Sequence, residues 1–265
     1  MLNLLGRLLA RNRVFLIACA LVLGWFQFLL CALVAELDLQ SALEQILAFA
    51  PPVMRGVVEQ ALLGGSVQGV LAFGWDHPIT HALLTAVAIA LAARAIAGEV
   101  EGGVIELVLA QPLGRATYLA AHCCFALASL VFVVAAGGLG TVIGQQVFAL
   151  HTFGSERLLP LLLNALLLQA AVFSLTLLLS AWGREAGRVA AMGVLLAVIS
   201  YFLNVIATFW PRAAFLQPWS LHSYYEPRAI LVRGEFPAAA LSALALVTAA
   251  ALSLSFWRFH RRDLP

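Results

Sequence analysis

The sequence predicts an all-helical integral membrane protein with six spanning helices, and three observations lead there. First, of 265 residues 63% are hydrophobic and only 11% charged, with a mean hydropathy of +0.99. A soluble domain carries roughly 25% charged residues and about half apolar ones. So few polar side chains cannot cover a water-facing surface, and lipid must be the solvent. Second, the apolar residues collect in six runs, each long enough at about 1.5 Å per residue to cross a hydrocarbon core about 30 Å thick. Third, the fifteen basic residues, all arginine, are shared unequally between the polar breaks.

Residues 1–13, MLNLLGRLLARNR, place Leu4, Leu5, Leu8 and Leu9 on one helical face and Asn3, Arg7 and Arg11 on the other. This is the pattern of an in-plane amphipathic helix with its arginines toward lipid phosphates; positive flanking of the first span is the plainer reading. Residues 14–35 form the first span. The run is longer than a signal-peptide core and lacks a small-x-small exit, so it reads as permanent. Residues 36–78 are an enlarged external loop, where Glu36, Asp38, Glu44, Glu59 and Asp76 face the single Arg55. Leu39, Leu43, Ile46 and Leu47 recur at helical spacing, Pro51-Pro52 interrupts, and 53–63 is a second amphipathic piece ended by Gly64-Gly65. Two short interfacial helices are expected there.

The second span covers 79–97, with Pro78 in a first-turn position where a missing N–H costs nothing. A polar segment, 98–115, precedes the third span at 118–144, whose Gly137-Gly138-x-Gly140 permits close helix approach or a local bend. The fourth span is 158–181, the tight turn 182–188 follows, and the fifth span is 189–210. A loop rich in Pro, Trp and Tyr, 211–235, leads to the sixth span at 236–257 and the tail RFHRRDLP. The whole chain is one transmembrane domain. Cys19, Cys31, Cys123 and Cys124 lie inside apolar runs without CxxC spacing and read as small core residues.

The net charge of +2 carries little as a total. Its distribution carries more. Arg7, Arg11, Arg13, Arg94, Arg115, Arg184, Arg188, Arg258, Arg261 and Arg262 fall on the side of the termini, against Arg55, Arg157, Arg212, Arg228 and Arg233 opposite. The positive-inside rule then puts both termini and 98–115 in the cytoplasm.

Segment 98–115, GEVEGGVIELVLAQPLGR, is the first candidate site. Val100, Val104, Leu107 and Val108 share one helical face, and Glu99, Gly102, Gly103 and Glu106 another. The outcome is a short amphipathic helix on the membrane surface, ended by Pro112. Glu99 and Glu101 suit a helix N-terminus, and the glycine pair leaves a partner room to approach the backbone. A plain solvated loop is the alternative. Three acids here run against the local charge trend, as a protein-docking surface would.

These residues resemble the E-x-E-x-G-T-x-E-x-L-L-x-x-P-x-x-R segment of permeases of type-2 ABC exporters. Gly103 matches the glycine, Val104 stands where threonine is usual, and Glu106, Leu107, Pro112 and Arg115 match directly. Pro218 to Pro227, with Tyr224-Tyr225-Glu226-Pro227, resembles the P-x-x-Y-Y-x-P segment before the sixth span of such permeases. The long acidic 36–78 insert resembles the subgroup related to copper-linked nitrous-oxide reductase maturation. The resemblance implies the type-2 ABC exporter permease architecture, with 98–115 as the coupling segment: Glu99, Glu101, Gly102, Gly103, Glu106, Leu107, Pro112 and Arg115 would meet the ATP-binding subunit. It further implies two cytoplasmic ABC ATPase subunits holding ATP and Mg, a second copy of this chain, and a bacterial inner-membrane location. An accessory protein at the 36–78 loop is a further expected partner; nucleic acid is not.

Other candidates weigh less. Asp76, His77 and His81 could hold a metal at the mouth of the second span, but helix capping by Asp76 or His77 is favoured, and no metal or other cofactor is expected in this chain. His122, Asn164, Gln169 and Asn204 read as interhelical hydrogen-bonding groups. Trp219, Tyr224, Tyr225 and Glu226 form either an external lateral gate or, with Trp210, part of an interfacial aromatic belt. No Walker A, HExxH or GxSxG is present, so no catalytic residue is assigned and any ATP hydrolysis belongs to another chain. The expected function is that of a permease subunit of an ATP-driven transporter, an exporter of an apolar or amphipathic substrate. The rival readings are a non-transporting scaffold that recruits a partner through 98–115 and, more distantly, a metalloenzyme using His77 and His81.

Overall fold

The computed structural model describes residues 2–36, 39–51, 66–103, 114–150 and 152–262, and among these every regular element is a helix. Six helical stretches are long and apolar enough to cross a membrane. The first, α1 (Leu2–Glu36), runs 35 residues without a proline or a break. Residues 1–13 are therefore not an element of their own. Leu4 and Leu8 are buried in the common core, so packing on the body continues the helix through its basic turns. The α2 helix (Leu39–Phe49) realises the first amphipathic piece; the second, 53–63, lies outside the described residues.

Residues 67–75, read above as part of the external loop, form α3 (Val67–Trp75), capped by Ser66 Oγ accepting from Gly69 N at 3.1 Å. Nine residues are too few to register as a span, yet VQGVLAFGW is apolar except for Gln68 and six of its residues are buried. The chain turns at Asp76-His77 into α4 (Pro78–Ala93), begun by Pro78 with His77 as its cap. A π-helical turn, Arg94–Gly98, and a last turn, Glu99–Glu101, continue it, so the second candidate span is Val67–Glu101. Then come α5 (Arg115–Val147), α6 (Ser155–Trp182) and α7 (Ala186–Phe209). Two 3-10 stretches, Pro211–Trp219 and His222–Tyr224, lead to α8 (Pro227–Leu231) and α9 (Ala238–His260).

The two most extensive pairings are α1 with α5 and α6 with α9, and α4 also lies along α6. The most apolar window of α6 is 67% buried and that of α7 only 22%, which makes α6 the central post and α7 the outlier.

Lipid tails are as apolar as leucine, so helices in a membrane associate by close packing and hydrogen bonds rather than by hydrophobic burial. The seam between α1 and α5 follows that rule. A Cβ on Gly140 would overlap the Gly24 carbonyl, and one on Gly144 would come within 2.6 Å of Cys31 Cβ. Gly137 gives its space to Leu23 and to the fully buried Trp75, whose Nε1 donates to Thr141 Oγ1 at 3.3 Å. The glycine cluster thus brings α1 and α3 together on one face of α5.

Candidate functional site

At the arginine-rich end the polar segment and the turn before it are rooted in four helices, α1, α5, α6 and α7. The π turn Arg94–Gly98 interrupts the regular α-helical bonding just before it, and side chains take the freed groups. Tyr118 OH donates to Ala95 O at 2.8 Å. Ser180 Oγ donates to Ala93 O at 3.2 Å and accepts from Ala97 N at 2.9 Å. Glu99 Oε1 then accepts from Arg11 Nη1 of α1 at 2.9 Å. Glu101 Oε2 accepts from Ala186 N at 2.8 Å, placing a carboxylate on the positive N-terminus of α7. Gly103 has φ +66, a left-handed conformation that suits glycine.

Where the chain re-enters at α5, Arg115 Nη1 donates to the carbonyls of Phe259, His260 and Arg262 at 3.4, 3.1 and 2.6 Å. Arg262 is itself buried and donates to Ser180 O, Ala181 O and Gly183 O at 3.2, 3.1 and 2.8 Å. The two guanidinium groups therefore serve the negative C-terminal ends of α9 and α6. Burial, reinforced by Arg258 and Arg184, lowers the Arg262 pKa from its usual value.

At the opposite end Asp76 Oδ1 lies 3.1 Å from His81 Nε2, and His77 Nδ1 accepts from Ile79 N at 3.2 Å. The His81 ring packs edge-on against His222, Tyr225 and Tyr201, with centroids 5.1, 5.3 and 5.8 Å away. Ser200 ties the loop to α7: its Oγ accepts from Leu221 N at 2.8 Å and lies 2.9 Å from His222 Nδ1. Asn164 donates to Tyr224 O and accepts from Glu226 N, both at 2.9 Å. Between α4 and α7 runs an apolar groove of about 590 Å³, lined by Ile89, Val194, Val198 and Phe202 among others. It shares Pro78, Tyr201 and His222 with a more polar vestibule of about 680 Å³.

Residues 6–264 match the family model described as ABC-2 family transporter protein. The chain belongs to the ABC-2 family. It has no match among the curated proteins. As an ABC-2 protein it is a membrane component of an ABC transporter, in agreement with the likeness read from its polar segments.

Glu99, Glu101, Gly102, Gly103 and Arg115 come together at one end of the bundle, on either side of 104–113; Glu106, Leu107 and Pro112 lie outside the described residues. Trp219, Tyr224, Tyr225 and Glu226 are divided. Trp219 is 79% exposed and lines a separate apolar groove of about 490 Å³ between α6 and α7. Tyr225 is buried, donates to Trp75 O at 3.1 Å and lines the vestibule with Glu226. Tyr224 donates to Pro218 O at 3.4 Å. Asp76, His77 and His81 are spent on one another and on the start of α4, and among the described residues no group of three or more His, Cys, Asp or Glu could hold a metal. In the sequence Arg262 registers only as tail charge and His222 only as part of a loop motif. Their roles depend on contacts across roughly 80 and 20 residues of chain, which no local pattern announces.

Burial and the neighbouring His81 push the pKa of His222 down to about 3. An unfolded histidine titrates near 6.5. Because the folded value is depressed, the unfolded state binds the proton more tightly below pH 6.5, and stability falls as pH drops from there toward 3. The expected result is a melting midpoint in detergent that declines between pH 7 and 4, with a shallower decline for His222→Gln. Equal slopes would show that another group governs the acid response.

Proposed function

We propose that the chain is the permease of an ATP-driven exporter, with both termini and 98–115 in the cytoplasm of a bacterial inner-membrane assembly. In this reading 98–115 docks a separate ATPase subunit, which holds the ATP and Mg, and two copies of the chain pair around the substrate path. The observation that carries it is the rooting of the segment. Glu99 on α1, Glu101 on the start of α7, Tyr118 of α5 on the π turn and Arg115 on the end of α9 connect a push on 98–115 to four further helices at once. A solvated connector has no need of such links.

The α4–α7 groove, with its polar vestibule, is of a size that suits small-molecule sites, about 300–1,000 Å³, and supports an apolar or amphipathic substrate. The outward face of α7, with Leu195, Ile199 and Phe202 exposed, needs lipid or a second copy to cover it.

The test is co-purification with the ATPase from cells expressing both chains. Glu106→Arg reverses a charge on the proposed docking face, and ATPase recovery is expected to fall about tenfold or more, with the permease extracted normally. Recovery at the wild-type ratio would remove the docking reading.

A further inference from the structure

A small cavity of about 10 Å³ lies at the arginine-rich end, among Leu8, Arg11, Asn12, Arg94, Glu99 and His122. His122 is only 6% exposed, and its Nε2 is buried without a hydrogen-bond partner. Buried polar atoms in folded proteins are nearly always paired, with protein or with ordered water. The other polar groups around the cavity are paired: Arg11 with Glu99 at 2.9 Å, Arg94 with Asn12 Oδ1 at 3.3 Å, and Asn12 Nδ2 with Leu8 O at 2.8 Å. The orphan nitrogen therefore sits beside a void bordered by two guanidinium groups, an amide and a carboxylate.

Volume decides what belongs there. A space of about 10–15 Å³ on this measure holds one water, and such a water needs two to four polar partners. A hydrated cation or a larger anion does not fit. We propose that a single ordered water occupies the cavity, hydrogen-bonded to His122 Nε2 and to the Arg11–Glu99 pair, and that His122 is thereby a positioning residue for Glu99. The ring of His122 lies 4.6 Å from that of Tyr118, whose hydroxyl holds Ala95 O. Helix α5 then grips the root of 98–115 twice, by Tyr118 directly and by His122 through water. The hydration site stands on geometry alone; its importance for docking rests on the proposed function.

The experiment uses the full-length protein in lipid nanodiscs, with hydrogen–deuterium exchange read on peptides covering 94–103. His122→Leu keeps an apolar body but cannot bind water, whereas His122→Gln can. Exchange over 94–103 is expected to rise about tenfold in the leucine variant, with α6 and α9 unchanged, and to return toward wild type in the glutamine variant. Leucine and glutamine variants that exchange alike, whether at the wild-type rate or faster, would overturn the water-mediated role. In a high-resolution map a density peak within hydrogen-bond distance of Nε2 supports the proposal, and an empty cavity or a larger ion overturns it. ATPase stimulation is measured on the same samples. Faster exchange in the leucine variant with undiminished ATPase stimulation keeps the water and counts against the docking function instead.

Discussion

Gly140→Leu is expected to leave almost no folded protein after detergent extraction. The obstacle is the backbone of α1 itself: any Cβ at position 140 runs into the Gly24 carbonyl, which cannot rotate away as a side chain can. Overpacking ordinarily costs about 1–3 kcal/mol when neighbours can shift, and here two helix axes must separate. Separation would also withdraw Gly144 from Cys31 and Gly137 from Leu23 and Trp75. Two comparisons isolate the cause. Gly138→Ala meets only the Leu162 side chain at 2.8 Å and should cost little, and Gly6→Leu, with nothing within 4 Å, should be silent. Recovery of monodisperse protein by size-exclusion chromatography reads all three; wild-type recovery for Gly140→Leu would mean that the seam is not packed as described.

Arg262→Ala is expected to lower the melting midpoint substantially, by a loss of about 3 kcal/mol. Removing the guanidinium leaves Ser180 O, Ala181 O and Gly183 O without their donor at a buried helix end, and charge-assisted bonds of this kind contribute about 1.5–3 kcal/mol each before relaxation and water entry reduce the sum. Lysine should restore only part, because a single ammonium cannot reproduce the fork that spans both sides of the α6 terminus. The comparison is made in detergent at constant lipid content. If alanine and wild type melt together, the tail is not a fastening for α6.

The span count and the family likeness were legible because both rest on local sequence: long apolar runs, and a short string of Glu, Gly, Pro and Arg with fixed spacing. What escaped is non-local. The α3 helix was hidden because VQGVLAFGW is largely apolar but only nine residues long, and it follows a charged, proline-broken stretch. The π turn leaves no compositional mark at all: RAIAG is ordinary helical sequence, and its widened turn becomes intelligible only with Tyr118 and Ser180 beside it. The basic N-terminal turns read as an interfacial helix because periodicity reports a polar face without saying what opposes it. Glu99 opposes Arg11, and Leu4 and Leu8 have core neighbours. The external aromatics looked like one set because they are close in sequence, whereas Trp219 and Tyr225 face different grooves.

The sparse burial of α7 has a mechanical meaning. Along its middle it presents Leu195, Ile199 and Phe202 outward. It is tied at its first residue, Ala186 N to Glu101, and again in its second half, where Ser200 holds the loop around His222. A rod held at its start and at Ser200, packed on one flank through Val189 and Gly193 and bare on the other, can roll about its long axis more readily than it can slide. The α1–α5 pair, locked by its glycines, has no such freedom. Turning α7 against that frame would alter the width of the α4–α7 groove, with Glu101 bonded to the first residue of the turning helix.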